Sequence, residues 1–167
     1  MSRRSSTGSS RAARVLHLDL FSGIAGNMFL GALLDAGLKR SELEADLAGL
    51  GVAHRLRVRK VVRGPIAARY VEVDVPHARR RGHSHGHAGH GHPHGRSYRD
   101  VHRLLSRARL DAAVRRRALA IFEALGRAEA RVHGIALEKV HFHEVGAVDA
   151  IVDVTGAAIG LERLGIE

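Results

Sequence analysis

Two parts of the chain show the alternation of apolar and polar side chains that is typical of β-strands. Residues 14–21 predict a buried strand with three leucines on one face and with His17 and Asp19 as neighbours on the other. Residues 54–75 predict a hairpin that turns at Arg63-Gly64-Pro65. Its inward-facing residues are expected to be Leu56, Val58, Val71, Val73 and Val75.

Other segments show the 3.6-residue spacing of helices. We expect helices at about 27–36, from an N-cap at Ser41, at about 98–107, at about 111–132 and at about 147–164. One apolar stripe on the fourth of these is expected to be buried: Val114, Ala118, Ile121, Phe122, Leu125 and Val132. The pattern predicts the α/β class, as a mixed two-layer domain. In it a short sheet, made of strand 14–21 and hairpin 54–75, packs against several helices.

The length of 167 residues allows one domain of ordinary size. Residues 1–13 are polar and basic without periodicity, so we expect a disordered tail followed by a single domain over 14–167, with a flexible histidine-rich loop at 77–97. The chain has no cysteine, which excludes disulfides, thiolate metal sites and cysteine nucleophiles. No apolar stretch predicts a membrane span or a secretory signal, and a cytoplasmic protein is expected.

The formal net charge of +10 comes almost entirely from arginine. A nucleic-acid partner is disfavoured because the arginines are dispersed, aromatic residues make up only 4%, and no recognition helix or stacking platform is evident. Attraction to a phosphorylated small molecule explains the charge equally well.

A histidine-rich tract lies between the hairpin and the next helix. Small residues separate its six imidazoles, which belong to His83, His85, His87, His90, His92 and His94. This composition cannot form a packed core and favours metal capture by a flexible tether. A pH-responsive linker and a passive spacer are the alternatives, and the spacing does not identify the metal.

A second group of histidines and carboxylates falls within nine residues: His141, His143, Glu144 and Asp149. If the chain is extended here, His141 and His143 project from one face while Phe142 packs behind them. Such a pair suits Ni²⁺, Zn²⁺ or Co²⁺, and either ring can instead transfer a proton. The alternative is a pair of core imidazoles that donate hydrogen bonds to backbone carbonyls.

A glycine-containing turn follows the predicted strand and precedes the first helix. Free backbone N–H groups and the positive end of a helix dipole meet at such a turn, so it favours phosphate binding. The candidate contacts are Asp19, Ser22, Gly23, Gly26 and Asn27. An ordinary connection, with Asp19 as a strand-end cap, is the alternative.

The closing helix carries Asp149, Asp153, Gly156 and Gly160 on one face. Each glycine costs on the order of 1 kcal/mol relative to alanine inside a helix, which indicates a close approach by another backbone or by a ligand. The two carboxylates would repel each other unless a cation, a donor or a shared proton intervened.

Several motifs, in this order along the chain, resemble the LarC family of nickel-insertion proteins. They are residues 18–28, residues 31–35, the histidine-rich insert, Val132-His133-Gly134 and residues 141–149. The resemblance implies Ni²⁺ insertion into pyridinium-3,5-bisthiocarboxylic acid mononucleotide, the precursor of the nickel-pincer cofactor of lactate racemase-type enzymes. It further implies a cyclometallase of the lyase class that forms two Ni–S bonds and one Ni–C bond, with CTP hydrolysis and a divalent ion such as Mn²⁺.

Nickel is then expected to pass from the histidine-rich tract to His141, His143 and Glu144, one of which would act as general base. Two departures from the family bear on this expectation. Asn27 stands where family members commonly have aspartate, and typical members are more than twice as long, with the CTP chemistry in their C-terminal part. This chain therefore resembles the N-terminal domain, and its expected partners are that C-terminal part and a lactate racemase-type apoenzyme. The rival hypothesis is a non-catalytic histidine-rich nickel metallochaperone or storage protein.

Overall fold

The computed structural model describes residues 14–76, 95–142 and 147–166. The longer helices are α1 (Gly26–Asp35), α2 (Arg40–Leu47), α3 (Tyr98–Arg107), α4 (Ala112–His133) and α5 (Val148–Leu164), and the strands are β1 (Arg55–Arg63) and β2 (Ile66–Asp74). Short 3-10 turns lie at Ala48–Leu50 and Leu137–Lys139. None of the helices described has the length and apolar character needed to cross a membrane.

Most of the predicted elements are confirmed, and the fold is mixed α/β as expected. β1 and β2 pair antiparallel from Arg55↔Asp74 to Arg63↔Ile66, and Gly64 adopts a φ of +58° in the turn. The N-cap prediction for α2 was wrong, because Lys39 occupies that position without a side-chain hydrogen bond and Ser41 lies inside the first turn.

The core forms where α1, α2 and α4 pack around α5 and where β2 packs on α1. Its largest fully buried side chains come from all of these elements and from α3: Leu30, Leu33, Leu34, Leu43, Leu47, Val71, Val101, Leu105, Phe122, Ile151 and Ile159. One face of the hairpin contributes to this core, since Leu56 and Val71 are buried and Val58 and Val73 pack against the cluster. The amphipathic pattern of each helix is thus satisfied by a neighbouring element.

Glycines on α5 allow α1 to approach closely. A Cβ added at Gly156 would lie 2.9 Å from Leu30 Cδ2, and one added at Gly160 would lie 2.6 Å from Leu33 Cδ1. Leucines of α1 therefore occupy the space beside both glycines. Close packing at these positions is confirmed, but the nearest atoms belong to leucine side chains rather than to another backbone, and they leave no room for the alternative of a bound ligand.

The predicted strand at 14–21 is absent from the structure. Only Arg14 forms a bridge, an isolated parallel one to Ile166, and residues 15–20 have no regular secondary structure. The prediction of burial was also wrong, since Val15 is 87% exposed and Phe21 is 91% exposed. The physical reason is that a strand needs a hydrogen-bonding neighbour, and the hairpin pairs only with itself within the described ranges.

Val132 was wrongly assigned to the buried stripe of α4, because it is 80% exposed. The buried residues of this helix end at Gly126, so the last turn extends past the elements that pack on it. The other members of the stripe are buried or half-buried. The predicted tail at 1–13 and most of the predicted histidine-rich loop lie outside the described residues.

Candidate functional site

His141 lies in a short extended segment that is held against the start of α3. It forms an antiparallel bridge with Ser97, and the flanking N–H groups make two 3.0 Å hydrogen bonds, from Tyr98 to the Val140 carbonyl and from Phe142 to the Arg96 carbonyl. Side chains alternate as predicted, since Val140 and Phe142 are buried while His141 is exposed. For His141, the alternative of a core imidazole is therefore wrong.

Phe142 anchors this segment to the core. Its ring centroid lies 6.4 Å from that of Tyr98 and 6.0 Å from that of Phe122, in edge-on and tilted arrangements. Aromatic pairs of this kind contribute about 0.5–1.5 kcal/mol beyond the area that they bury. The backbone on either side of His141 is consequently fixed, and its imidazole is presented to solvent from a rigid base.

Asp100 is a carboxylate near His141 that the motif-based prediction did not include. The Ser97 hydroxyl donates a 2.6 Å hydrogen bond to it and holds its pKa below the usual range, and the positive charges of Arg103 and protonated His141 lower the pKa further. Ser97 also caps α3, because its hydroxyl accepts from the Asp100 N–H. The only sequence signal for Asp100 was its position three residues after a capping serine.

Several predicted site residues lie outside the described residues: His143, Glu144 and the tract histidines His83, His85, His87, His90, His92 and His94. Their roles stay predictions. Among the residues that the structure does describe, no group of three or more histidine, aspartate or glutamate side chains is arranged to hold a metal ion. His141 by itself is therefore an incomplete metal site.

The turn before α1 offers free hydrogen-bond donors, as predicted. Gly23 has a φ of +79° and donates its N–H to the Leu20 carbonyl at 2.9 Å. Ala25 caps α1 without a side-chain hydrogen bond, and within the described ranges the N–H groups of Gly26, Asn27 and Met28 have no partner. Ser22, Gly23 and Gly26 are exposed, so the positive end of the helix dipole is accessible.

Asp19 is exposed and lies in the segment without regular structure, as does His17. Because that segment is not a strand in the described structure, the alternative of a strand-end cap gains no support there and stays a prediction for Asp19. No described hydrogen bond or ion pair joins Asp19 to the turn, and its contact with a ligand stays a prediction.

Asp153 is the carboxylate that the structure brings to the start of α1. A Cβ at Gly26 would lie 2.6 Å from Asp153 Oδ2, so only glycine permits this approach. Burial, together with the smaller effect of the negative charge of Asp149, raises the pKa of Asp153 to about 6. Asp149, which the sequence groups with His141, His143 and Glu144 as a candidate site residue, is exposed.

Two oxygen atoms, one on Asp153 and one on Asn27, which follows Gly26 in the chain, are buried without a hydrogen-bond partner among the described residues. They are Asp153 Oδ1 and Asn27 Oδ1. A buried acceptor without a partner costs about 1–3 kcal/mol, which marks a position where a donor or a cation would be favourable. Carboxylate and amide oxygens are the ligands that hard divalent cations prefer.

Comparison with known proteins identifies the family. Residues 16–167 match the family model described as nickel insertion protein. This chain belongs to that family. The resemblance to LarC proteins that the motifs indicated is thereby confirmed.

Relatives of this family member include proteins named pyridinium-3,5-bisthiocarboxylic acid mononucleotide nickel insertion protein. Those of Thermotoga petrophila and Desulfitobacterium hafniense are 47% and 45% identical to it, each over 92% of this chain. That of Geobacillus kaustophilus is 42% identical over 92% of the chain. The chain covers 37%, 35% and 37% of the three relatives, in the order named, and the match lies in their N-terminal region. No solved structure matches the chain significantly.

Proposed function

We propose that this nickel insertion family member binds the mononucleotide substrate and receives Ni²⁺ for insertion into it. Its relatives are named for nickel insertion into pyridinium-3,5-bisthiocarboxylic acid mononucleotide. The observation that carries the proposal is the accessible start of α1, where free backbone donors lie beside two unpartnered oxygen atoms.

The phosphate of the mononucleotide would bind at the turn before α1. The N–H groups of Gly26, Asn27 and Met28 and the hydroxyl of Ser22 are donors of the type that phosphate requires. Gly23 lets the chain turn tightly there, with its positive φ. The positive net charge of the chain supports attraction of this anion.

Asp153 would repel a phosphate at this turn unless its charge were offset. A hard divalent ion such as Mn²⁺ would find oxygen ligands in Asp153 Oδ1 and Asn27 Oδ1, which are buried without partners, and would supply the neutralising charge. Asn27 would supply an oxygen ligand at the position where the family resemblance implies aspartate. Such an ion would hold the substrate phosphate, and the proton transfer below would remain a task of the protein side chains.

Ni²⁺ would be collected by the histidine-rich tract and passed to His141. The last tract residue, His94, precedes Ser97 by three residues, and Ser97 pairs with His141. This order along the chain supports transfer of nickel from the tract to His141.

Insertion joins Ni²⁺ to two thiocarboxylate sulfurs and to one carbon of the pyridinium ring. The Ni–C bond forms as the ring carbon loses its proton, so a base must accept that proton. His141, His143 and Glu144 are the candidate bases, and Asp149 would orient an imidazole or a metal-bound water beside them. In this proposal, the C-terminal part of the family protein acts as a partner of this chain and hydrolyses CTP. The finished cofactor would then pass to a lactate racemase-type apoenzyme.

A nickel store or metallochaperone is the second candidate function. Two observations favour it: six histidines lie in the tract, and the described residues contain no complete metal site of their own. In that case the tract would bind nickel without any chemistry at His141.

The test is an insertion assay with the substrate, Ni²⁺, CTP and the remaining portion of a relative co-expressed with this chain. We expect His141→Ala to lower the rate of cofactor formation, followed by mass spectrometry, at least tenfold at saturating nickel. His102→Ala is the matched control, because His102 is also an exposed histidine on the described surface, and it should leave the rate unchanged. Full activity of a folded His141→Ala variant would contradict the site. If the parent chain binds nickel but supports no insertion in this assay, the result would favour the second candidate function, a nickel store or metallochaperone.

A further inference from the structure

Residues 15–21 expose an unusual amount of apolar surface. Val15 is 87% exposed, Phe21 is 91% exposed, and Leu18 and Leu20 are 41% and 44% exposed. Within the described ranges, the backbone of this segment makes one hydrogen bond, from the Gly23 N–H to the Leu20 carbonyl. Apolar side chains beside unpaired backbone groups are typical of a strand edge that another segment covers.

The two faces of the segment differ in exposure. Leu16 is partly buried against the core, and Leu18 and Leu20, which an extended chain places on the same face, are less than half exposed. Val15 and Phe21 would lie on the opposite face and are almost fully exposed. This is the pattern expected of a sheet strand with helices on one side only, although no described residue pairs with it along its length.

The end of α5 indicates from which direction a strand that pairs with residues 15–21 would come. The helix ends at Leu164, Gly165 adopts a φ of +65°, and Ile166 then lies in a parallel bridge with Arg14. Arg14 Nη1 also donates to the Leu164 carbonyl at 3.3 Å. The chain leaving α5 therefore enters beside Arg14 and runs in the direction of residues 15–21.

We infer that residues 15–21 are a strand of a parallel sheet whose neighbour is the segment that follows the position of Glu167 in longer family members. The relatives contain such a segment. This chain matches their N-terminal region and covers only 35–37% of their length. Parallel strands need a long crossover connection, and α1 through α5 provide it. Continuing the Arg14↔Ile166 register pairs position 16 with 168 and position 18 with 170.

This pairing gives the turn before α1 its structural context. Parallel sheets with helices bind ligands at the carboxyl ends of their strands, and the turn at Ser22–Asn27 directly follows the carboxyl end of this one. This inference shares one assumption with the proposed function, namely that the rest of the family protein is present. Its test measures pairing rather than nickel insertion, so either can fail without the other.

The test compares this chain with the full-length Desulfitobacterium hafniense relative by hydrogen exchange. We expect amides of residues 15–21 to exchange quickly in this chain and at least tenfold more slowly at the aligned positions of the relative. Equal exchange in the two proteins would overturn the inference. Protection in this chain alone that rises with protein concentration would assign the surface to a second copy, and would overturn it as well.

Proline substitutions give an independent readout. The N–H groups of His17 and Leu18 have no partner in the structure described, so His17→Pro and Leu18→Pro should leave the melting temperature of this chain unchanged. Adjacent amides of a strand point to opposite edges, so proline at one of the two aligned positions should lower the melting temperature of the full-length relative. If neither proline lowers it, the segment is not a paired strand.

Discussion

Asp149 and Asp153 lie one helical turn apart on α5, yet their surroundings differ. Asp149 is exposed in the first turn, whereas Asp153 is half-buried against Gly26 of α1. The desolvated carboxylate favours its protonated form, which is the cause of its raised pKa. One residue of the pair thus belongs to the surface, and the other to the candidate phosphate and cation site.

Asp153→Asn should change how stability depends on pH. The pKa of Asp153 in the folded chain is raised from 3.8 to about 6, so the folded state binds more protons between these values and loses stability as the pH rises through them. Asparagine does not ionise, so the variant should not lose stability in this way. We expect its free energy of unfolding to exceed that of the parent by about 1 kcal/mol at pH 7.5, a figure discounted for partial exposure, and to equal it near pH 3.5.

Urea unfolding at several pH values measures this difference. Asp149→Asn is the matched control, because it removes only the neighbouring charge and should reduce the pH dependence without abolishing it. A constant difference between Asp153→Asn and the parent across the whole range would show that burial does not raise this pKa.

At the scale of elements, glycines set how closely helices and strands approach. Gly31 of α1 faces the backbone of β2, where an added Cβ would overlap the Arg69 carbonyl oxygen. Asp35 of α1 reinforces this contact, because its carboxylate accepts a 3.0 Å hydrogen bond from the Arg69 N–H. α1 is therefore fixed between β2 on one side and α5 on the other.

Gly31→Ala should destabilise the protein in spite of its better helix propensity. Propensity alone would favour alanine by about 1 kcal/mol, but the overlap with a backbone atom requires α1 and β2 to separate, at a net cost of about 2–3 kcal/mol. Thermal unfolding followed by circular dichroism decides the sign. As a comparison, Ala32→Gly on the exposed face of α1 should cost only about 1 kcal/mol. A stabilised Gly31→Ala variant would show that α1 and β2 are not in close contact.

At the scale of the whole molecule, the two candidate sites rest on different pairs of elements. Gly26, the first residue of α1, lies against Asp153 in the second turn of α5. The segment of His141 instead pairs with Ser97 at the start of α3. The histidine-rich tract precedes Ser97 in the sequence, so capture and transfer of nickel would belong to the α3 side of the molecule.

Deleting residues 83–94 should lower the number of Ni²⁺ ions bound per chain. Isothermal titration calorimetry at pH 7.5 measures this, and the affinity of the intact chain should fall towards pH 5.5 as imidazoles become protonated. A variant that replaces the six tract histidines with serine keeps the length of the tract and serves as the control for the deletion. Unchanged stoichiometry in both variants would contradict nickel capture by the tract.

Local patterns determined much of this fold. The hairpin and the helices could be predicted because periodicity and turn residues act over a few neighbouring positions, and the alternation at Phe142 and His141 followed in the same way. The family could also be predicted, since its motifs are short and ordered along the chain.

Contacts between distant residues decided the rest. The strand pattern at 14–21 does not make a strand, because pairing needs a partner segment that the described residues lack. Similarly, the spacing of Asp149 and Asp153 placed both on one face, but only the packing of α1 determines which is buried. Gly156 marked a close approach without identifying the neighbour, since a missing side chain fits a leucine or a ligand equally well. Burial and pairing depend on which elements meet, and that is a property of the tertiary structure alone.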